Sequence, residues 1–178
     1  MLYQLRTGDV ILCENKPLDQ TNAYLIVYDT DNGFGLWCLG CGEALGFYGD
    51  DIEKILTQFA TENDYNRVVL QGEGVGLVQG NPYKFTENKL FVFNLIIGGT
   101  RLGTVEMADF CKSHGLTSVP IIDTDYELPK TMEEMKLEAD GYSELNPKVK
   151  REGFVYRSID GQQSFKNVSR EYLLKHNG

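Results

Sequence analysis

The chain has 178 residues, 42% of them hydrophobic and 24% charged, which is enough for one folded domain with its own core. Its formal net charge of −9 works against broad, non-specific binding of a polyanion such as nucleic acid. The longest apolar run, Leu90 to Ile97, is far short of the ~20 residues that span a bilayer, and no basic stretch leads into an apolar one at the N-terminus. The expectation is a cytoplasmic protein with no membrane association.

In chain order, strands are expected over Asp9 to Cys13, Ala23 to Tyr28 and Phe34 to Leu39. Asp29-Thr30-Asp31-Asn32-Gly33 joins the last two as a hairpin, with Asn32-Gly33 tolerating positive φ. A helix follows over Asp51 to Ala60. Its Ile52, Ile55, Leu56 and Phe59 share one face, and Asp50 or Asp51 serves as cap. Arg67 to Gln71 and Leu90 to Ile97 read as strands. Thr104 to His114 reads as a helix that begins at a Thr cap and stops at Gly115. Val119 to Ile122 reads as a further strand.

Thr131 to Ala139 is expected to be helical, with Thr131 and Glu134 at capping-box spacing. Asp140 to Pro147 is a loop, and Gly153 to Ser158 and Ser164 to Val168 form a last strand pair around Asp160-Gly161. Strands joined mostly by hairpins, with helices outside, make an α+β pattern. No repeat or linker divides it, so residues 1–178 are expected to be a single domain.

The four cysteines lack a secretory context, so disulfides are not expected. Cys38 and Cys41 have CxxC spacing. No second CxxC or His pair completes a zinc set, and Cys13 and Cys111 could do so only by folding together; the competing reading is structural thiols at a buried strand end. Lys148, Lys150 and Arg151, with Arg157, Lys166 and Arg170 further on, form either a local basic patch or scattered solvated charge.

The segment Val69-Leu70-Gln71-Gly72-Glu73-Gly74-Val75-Gly76-Leu77-Val78-Gln79-Gly80-Asn81 passes from an apolar strand into a glycine-rich turn. It is not a dinucleotide fingerprint, since Leu77 stands where GxGxxG has its third glycine, and no Gly-Lys-Ser/Thr exists for a P-loop. A plain strand and tight turn would explain the glycines but not Glu73, whose carboxylate at a strand end can hold a ribose hydroxyl or a metal. Alternation along Glu152-Gly153-Phe154-Val155-Tyr156-Arg157 puts Glu152, Phe154 and Tyr156 on one face and Gly153, Val155 and Arg157 on the other. Lys166, between Phe165 and Asn167, could meet a phosphate as a compact point charge or could simply lie on the surface.

Together these segments resemble the nucleotidyltransferase (adenylation) domain of ATP-dependent RNA ligases of the phage and RNA-editing type. Gln71-Gly72-Glu73 through Asn81 is similar to motif III, Phe91-Val92-Phe93-Asn94 to motif IIIa, Glu152-Gly153-x-Val155-x-Arg157 to motif IV, and Ser164-Phe165-Lys166 to motif V. The resemblance implies antiparallel sheets around a nucleotide cleft, with ATP and Mg or Mn as cofactors. It assigns ribose or metal contact to Glu73, adenine stacking to Phe93, metal binding to Glu152 and α-phosphate contact to Lys166. Arg157 joins the nucleotide-binding set.

The nucleophile of such ligases is the lysine of Lys-x-Asp-Gly, which implies that Lys16 forms a lysyl-AMP here and passes AMP to an RNA 5′-phosphate. This chain departs from that motif. Lys16 stands three residues before Asp19 rather than two, Pro17 takes the nucleophile's register, and Gln20 replaces the glycine. Leu39-Gly40 replaces the family's Ser-Arg pair, Asn94 stands where aspartate is common, and Ser164 stands where motif V often has a second lysine. The alternative is a non-catalytic descendant that binds a nucleotide, an RNA end or a protein partner. The chain stops soon after motif V, so no accessory RNA-gripping domain is expected, and a protein partner could supply that surface.

Overall fold

The computed structural model describes residues 23–38, 49–76 and 83–176. Strands β1 (Ala23–Asp29) and β2 (Gly33–Cys38) form the expected hairpin, with Gly33 at φ +76° in the turn. The Asp29 carboxylate accepts the Asp31 and Asn32 backbone N–H groups at 2.9 and 3.1 Å, fixing that turn. Helix α1 (Gly49–Glu62) buries Ile52, Leu56 and Ala60, with Ile55 and Phe59 packed beside them. It starts earlier than expected, so Asp50 and Asp51 lie within its first turn rather than at the cap. Acidic residues still suit the positive end of the helix there.

Strand β3 (Arg67–Val75) lies between β1 and β4 (Lys89–Ile97), both antiparallel to it. The short β5 (Thr100–Arg101) turns back on β4, giving the order β2-β1-β3-β4-β5. Helix α2 (Thr104–Ser113) packs Met107, Phe110 and Cys111 into the same core as α1. Its cap is Gly103 rather than Thr104: the Glu106 carboxylate accepts the Gly103 N–H at 3.0 Å, and the buried Thr104 hydroxyl has no hydrogen-bond partner among the described residues.

The expected strand over Val119 to Ile122 does not form. Only β6 (Thr117–Ser118) pairs, parallel to β4, and the Val119 N–H adds one bond to the Val92 carbonyl at 2.9 Å. Pro120 then has no N–H with which to continue the ladder, and Ile122 is left 52% exposed.

Helix α3 (Met132–Ala139) has the anticipated capping box, with Thr131 Oγ1 accepting the Glu134 N–H at 3.2 Å and the Glu134 carboxylate accepting the Thr131 N–H at 3.0 Å. Strands β7 (Gly153–Arg157) and β8 (Ser164–Val168) form a separate antiparallel ribbon, and α4 (Arg170–His176) follows. The Ser169 hydroxyl accepts the Tyr172 N–H at 3.3 Å, which is the N-cap signal that sequence reasoning passed over.

The six-stranded sheet has two faces. Ile26, Val68, Leu70, Val92 and Leu95 pack under α1 and α2, whereas Leu25, Val27, Val69 and Ile96 form a small cluster on the other face. The anticipated α+β architecture, antiparallel sheets with helices outside, is the one observed.

Candidate functional site: a cleft between a sheet and a ribbon

Alternation along β3 puts Gln71 and Glu73 on the face of Val69, away from the helices. Gly72 faces the core side, where a Cβ would meet Leu90 Cδ1 at 2.8 Å. On β4 the alternation breaks. Gln71 pairs with Asn94 and Gly72 pairs with Val92, so Phe93 is an extra residue in a β-bulge. Asn94 thus shares the Gln71 face, and its Nδ2 donates to Gln71 Oε1 at 2.6 Å.

The ribbon also has two faces. Tyr156 stacks on Phe165 with ring centroids 4.8 Å apart, and Asn167 Nδ2 donates to the Met135 carbonyl at 2.6 Å, so this face lies against α3. The Tyr156 hydroxyl donates to Glu138 at 2.9 Å, and the Tyr126 hydroxyl donates to the same carboxylate. This bond to Glu138 is the main cause that pushes the Tyr126 phenol up to about 12. Val155, Lys166 and Arg157 occupy the opposite face, because residues directly across an antiparallel pair share a side. Val155 is 53% exposed there.

Arg157 joins the two surfaces. Its Nη1 donates to the Phe93 carbonyl at 2.7 Å and to Asn94 Oδ1 at 2.6 Å. The bulge that displaces Phe93 is therefore held by the ribbon.

Glu152 forms an ion pair with Lys166, and both side chains are mostly buried. The expected placement of Glu152 on the Phe154 face is incorrect. Gly153 adopts φ +146°, where a Cβ would lie 2.0 Å from the Asn167 carbonyl oxygen, and this turn of the backbone breaks the alternation. Glu152 meets Lys166 on the cleft face, whereas its neighbour Arg151 stacks over Phe154, 4.2 Å from the ring centroid.

Of the expected site residues, the structure brings Glu152 and Lys166 together and sets Arg157 against the Phe93–Asn94 segment. Glu73 lies on the same sheet face, two residues from Gln71. Lys16 and the rest of the altered Cys13 to Tyr24 motif up to Asn22 lie outside the described residues, as do Cys13 and Cys41. Of the four cysteines, Cys111 is the one whose side chain is described. It lies in the apolar core, with its sulfur 3.8 Å from that of Met107, and burial pushes its thiol up to about 11.

Among the described residues, no group of three His, Cys, Asp or Glu side chains is placed to hold a metal. The carboxylates of Glu73 and Glu152 are of the hard-oxygen type that a divalent cation would take. The Gln71–Asn94–Arg157 chain was missed in the sequence, although Asn94 in place of an aspartate was its visible sign. Among the described residues, no helix is long and apolar enough to cross a membrane.

The sequence matches the RNA ligase family over residues 7–175. A comparison with curated proteins finds no match. Among solved structures, a point variant of Naegleria gruberi RNA ligase with ATP and Mn superposes with a TM-score of 0.71 at 28% identity, covering 88% of this chain and 49% of that one. The same ligase with PPi gives a TM-score of 0.70 at 30% identity, covering 88% and 49% of the two chains. Another variant, with AMP and Mn, gives 0.71 at 30% identity over the same shares. The chain spans about half the length of these ligase chains. The match across nearly the whole sequence, the shared fold and the ordered motif segments lead to one conclusion: this chain belongs to the RNA ligase family.

Proposed function

We propose that the chain is an ATP-dependent nucleotidyltransferase of the RNA ligase type, with its nucleotide held between the β3–β4 face and the β7–β8 ribbon. The observation that carries this reading is the Glu152–Lys166 pair on the ribbon's cleft face. Each partner neutralises the other in the free protein. Glu152 would hold a divalent cation and Lys166 would meet a phosphate of the nucleotide, so both charges would have new partners once a nucleotide with Mg or Mn is bound. Glu73 then lies at the strand end where a ribose hydroxyl or the metal would sit, and Phe93 offers its ring to adenine. The Naegleria gruberi ligase structures, with ATP and Mn, AMP and Mn, or PPi, correspond to ligands of such a reaction.

Lys16 is the nucleophile in this reading. Its neutral amine attacks the α-phosphorus, a nitrogen–phosphorus bond forms as the bond to pyrophosphate breaks, and the amine's proton passes to solvent. The AMP is next transferred to an RNA 5′-phosphate, and a 3′-hydroxyl displaces it. Lys166 contributes positive charge at the α-phosphate, where negative charge must be stabilised. A divalent cation bound at Glu152 and Glu73 would supply further neutralisation of the phosphates.

Intact-protein mass spectrometry after incubation with ATP and Mg or Mn tests the reading. The expected result is a mass increase of one AMP that Lys16→Ala abolishes. Saturable ATP binding without an adduct, weakened by Phe93→Ala, would instead identify a pseudo-ligase that kept the cleft and lost the chemistry.

A further inference from the structure

Gln71 has no part in the roles given above, yet it is 95% buried on the cleft face, with a relative exposure of 5%. Its orientation follows from the chemistry of its neighbours. Arg157 can only donate hydrogen bonds, so the Asn94 amide must turn its oxygen to the guanidinium. The Asn94 nitrogen is then directed at Gln71, which must answer with its own oxygen. This leaves the Gln71 amide nitrogen pointing away from Asn94, without a hydrogen-bond partner among the described residues. The two bonds fix the amide's orientation and leave its donor available to a ligand on this face.

Gln71 pairs in register with Asn94, next to the Phe93 bulge, and Glu73 lies two residues along the same face. If Phe93 carries the base and Glu73 the ribose, Gln71 stands at the level of the base. We propose that Gln71 is a base-reading residue. Its amide nitrogen donates to a ring nitrogen of the purine, and the Arg157–Asn94 pair fixes its polarity. The proposal rests on the nucleotide reading of the cleft and adds to it a specificity-determining contact.

The test compares the affinity of the protein for ATP with its affinities for 1-deaza-, 3-deaza- and 7-deaza-ATP. Each analogue replaces one ring nitrogen by C–H. In the wild-type chain one analogue should bind about tenfold more weakly than ATP, the effect of one lost hydrogen bond in a dry site. In Gln71→Met, which keeps the side chain's length, ATP should fall to the level of that analogue and the difference should vanish. Asn94→Asp provides a second arm of nearly unchanged volume. Its carboxylate cannot donate, so Gln71 must turn its nitrogen inward and present its oxygen to the base; the analogue difference should again be lost. Equal binding of ATP and all three analogues to the wild type overturns the proposal, as does a difference that persists undiminished in both variants. Failure of the wild type to bind ATP at all overturns the nucleotide reading as well.

Discussion

Gly153 decides where the Glu152 carboxylate goes. At φ +146°, with a hypothetical Cβ 2.0 Å from the Asn167 carbonyl oxygen, it admits no side chain without moving β8. Gly153→Ala should therefore destabilise the protein by on the order of 2–3 kcal/mol and lower its melting temperature in a thermal scan. It should also reduce ATP binding, because Glu152 and Lys166 lose their shared position. A variant that melts like the wild type would show that the ribbon tolerates a different path. The same residue explains a limit of sequence reading. The segments that carry the site were legible from residue types and order, since a carboxylate after Val68-Val69-Leu70 and a charge at each end of Phe154 to Tyr156 stand out. The face of Glu152 was not, because alternation assumes ordinary strand dihedrals and a single positive φ reverses it. Nor was the contact of Arg157 with Asn94 visible, as it crosses between two sheets.

At the scale of elements, most strands and three helices were readable from apolar periodicity and turn chemistry. The strand expected over Val119 to Ile122 does not form, because Pro120 was hidden among β-favouring residues, and β6 at Thr117–Ser118 was not foreseen. Helix α4 was missed because its stability depends on a distant partner more than on an apolar face. That partner is Asp140, the C-cap of α3. Its carboxylate accepts the Ser169 hydroxyl at 3.0 Å, the Arg170 N–H at 2.9 Å, and Arg170 Nε and Nη2 at 3.1 and 2.8 Å. The Arg170 guanidinium, helped by the Ser169 hydroxyl, holds the Asp140 carboxyl below the usual carboxylate range. A carboxyl with a lowered folded-state pKa adds stability above its unfolded value of ~3.9, and that stability is lost as pH falls through the folded value. Asp140→Asn should thus melt at a lower temperature than the wild type at pH 7, and the gap should close as the pH is taken below about 4. A gap that stays constant with pH would show that the carboxylate's charge contributes nothing to joining α3 and α4.

The whole molecule is unevenly built. Its large apolar core lies between the six-stranded sheet and helices α1 and α2. From Thr131 onward, Ala139 is the one described apolar side chain that is fully buried, and Val155, Phe165 and Leu174 are exposed. The ribbon with α3 and α4 is held mainly by directional polar contacts, such as those of Arg157, Glu138 and Asp140. Regions with few buried apolar contacts open more readily than a core sheet. Hydrogen–deuterium exchange should therefore be faster in β7 and β8 than in β1, β3 and β4, and ATP with Mg or Mn should slow it chiefly in the ribbon. Uniform protection across both sheets would contradict this division.

The bulge at Phe93 has a consequence for how this surface can change over time. Leu90 and Val92 on one side of it, and Leu95 and Ile97 on the other, all turn toward the core, although an odd step separates the two pairs. Position 93 belongs to neither alternating series, so its side chain is not recruited to the core of either half of the strand. Folding constrains that the extra residue exists and leaves its chemical identity comparatively open. A lineage can therefore exchange that residue without renegotiating the strand that carries it.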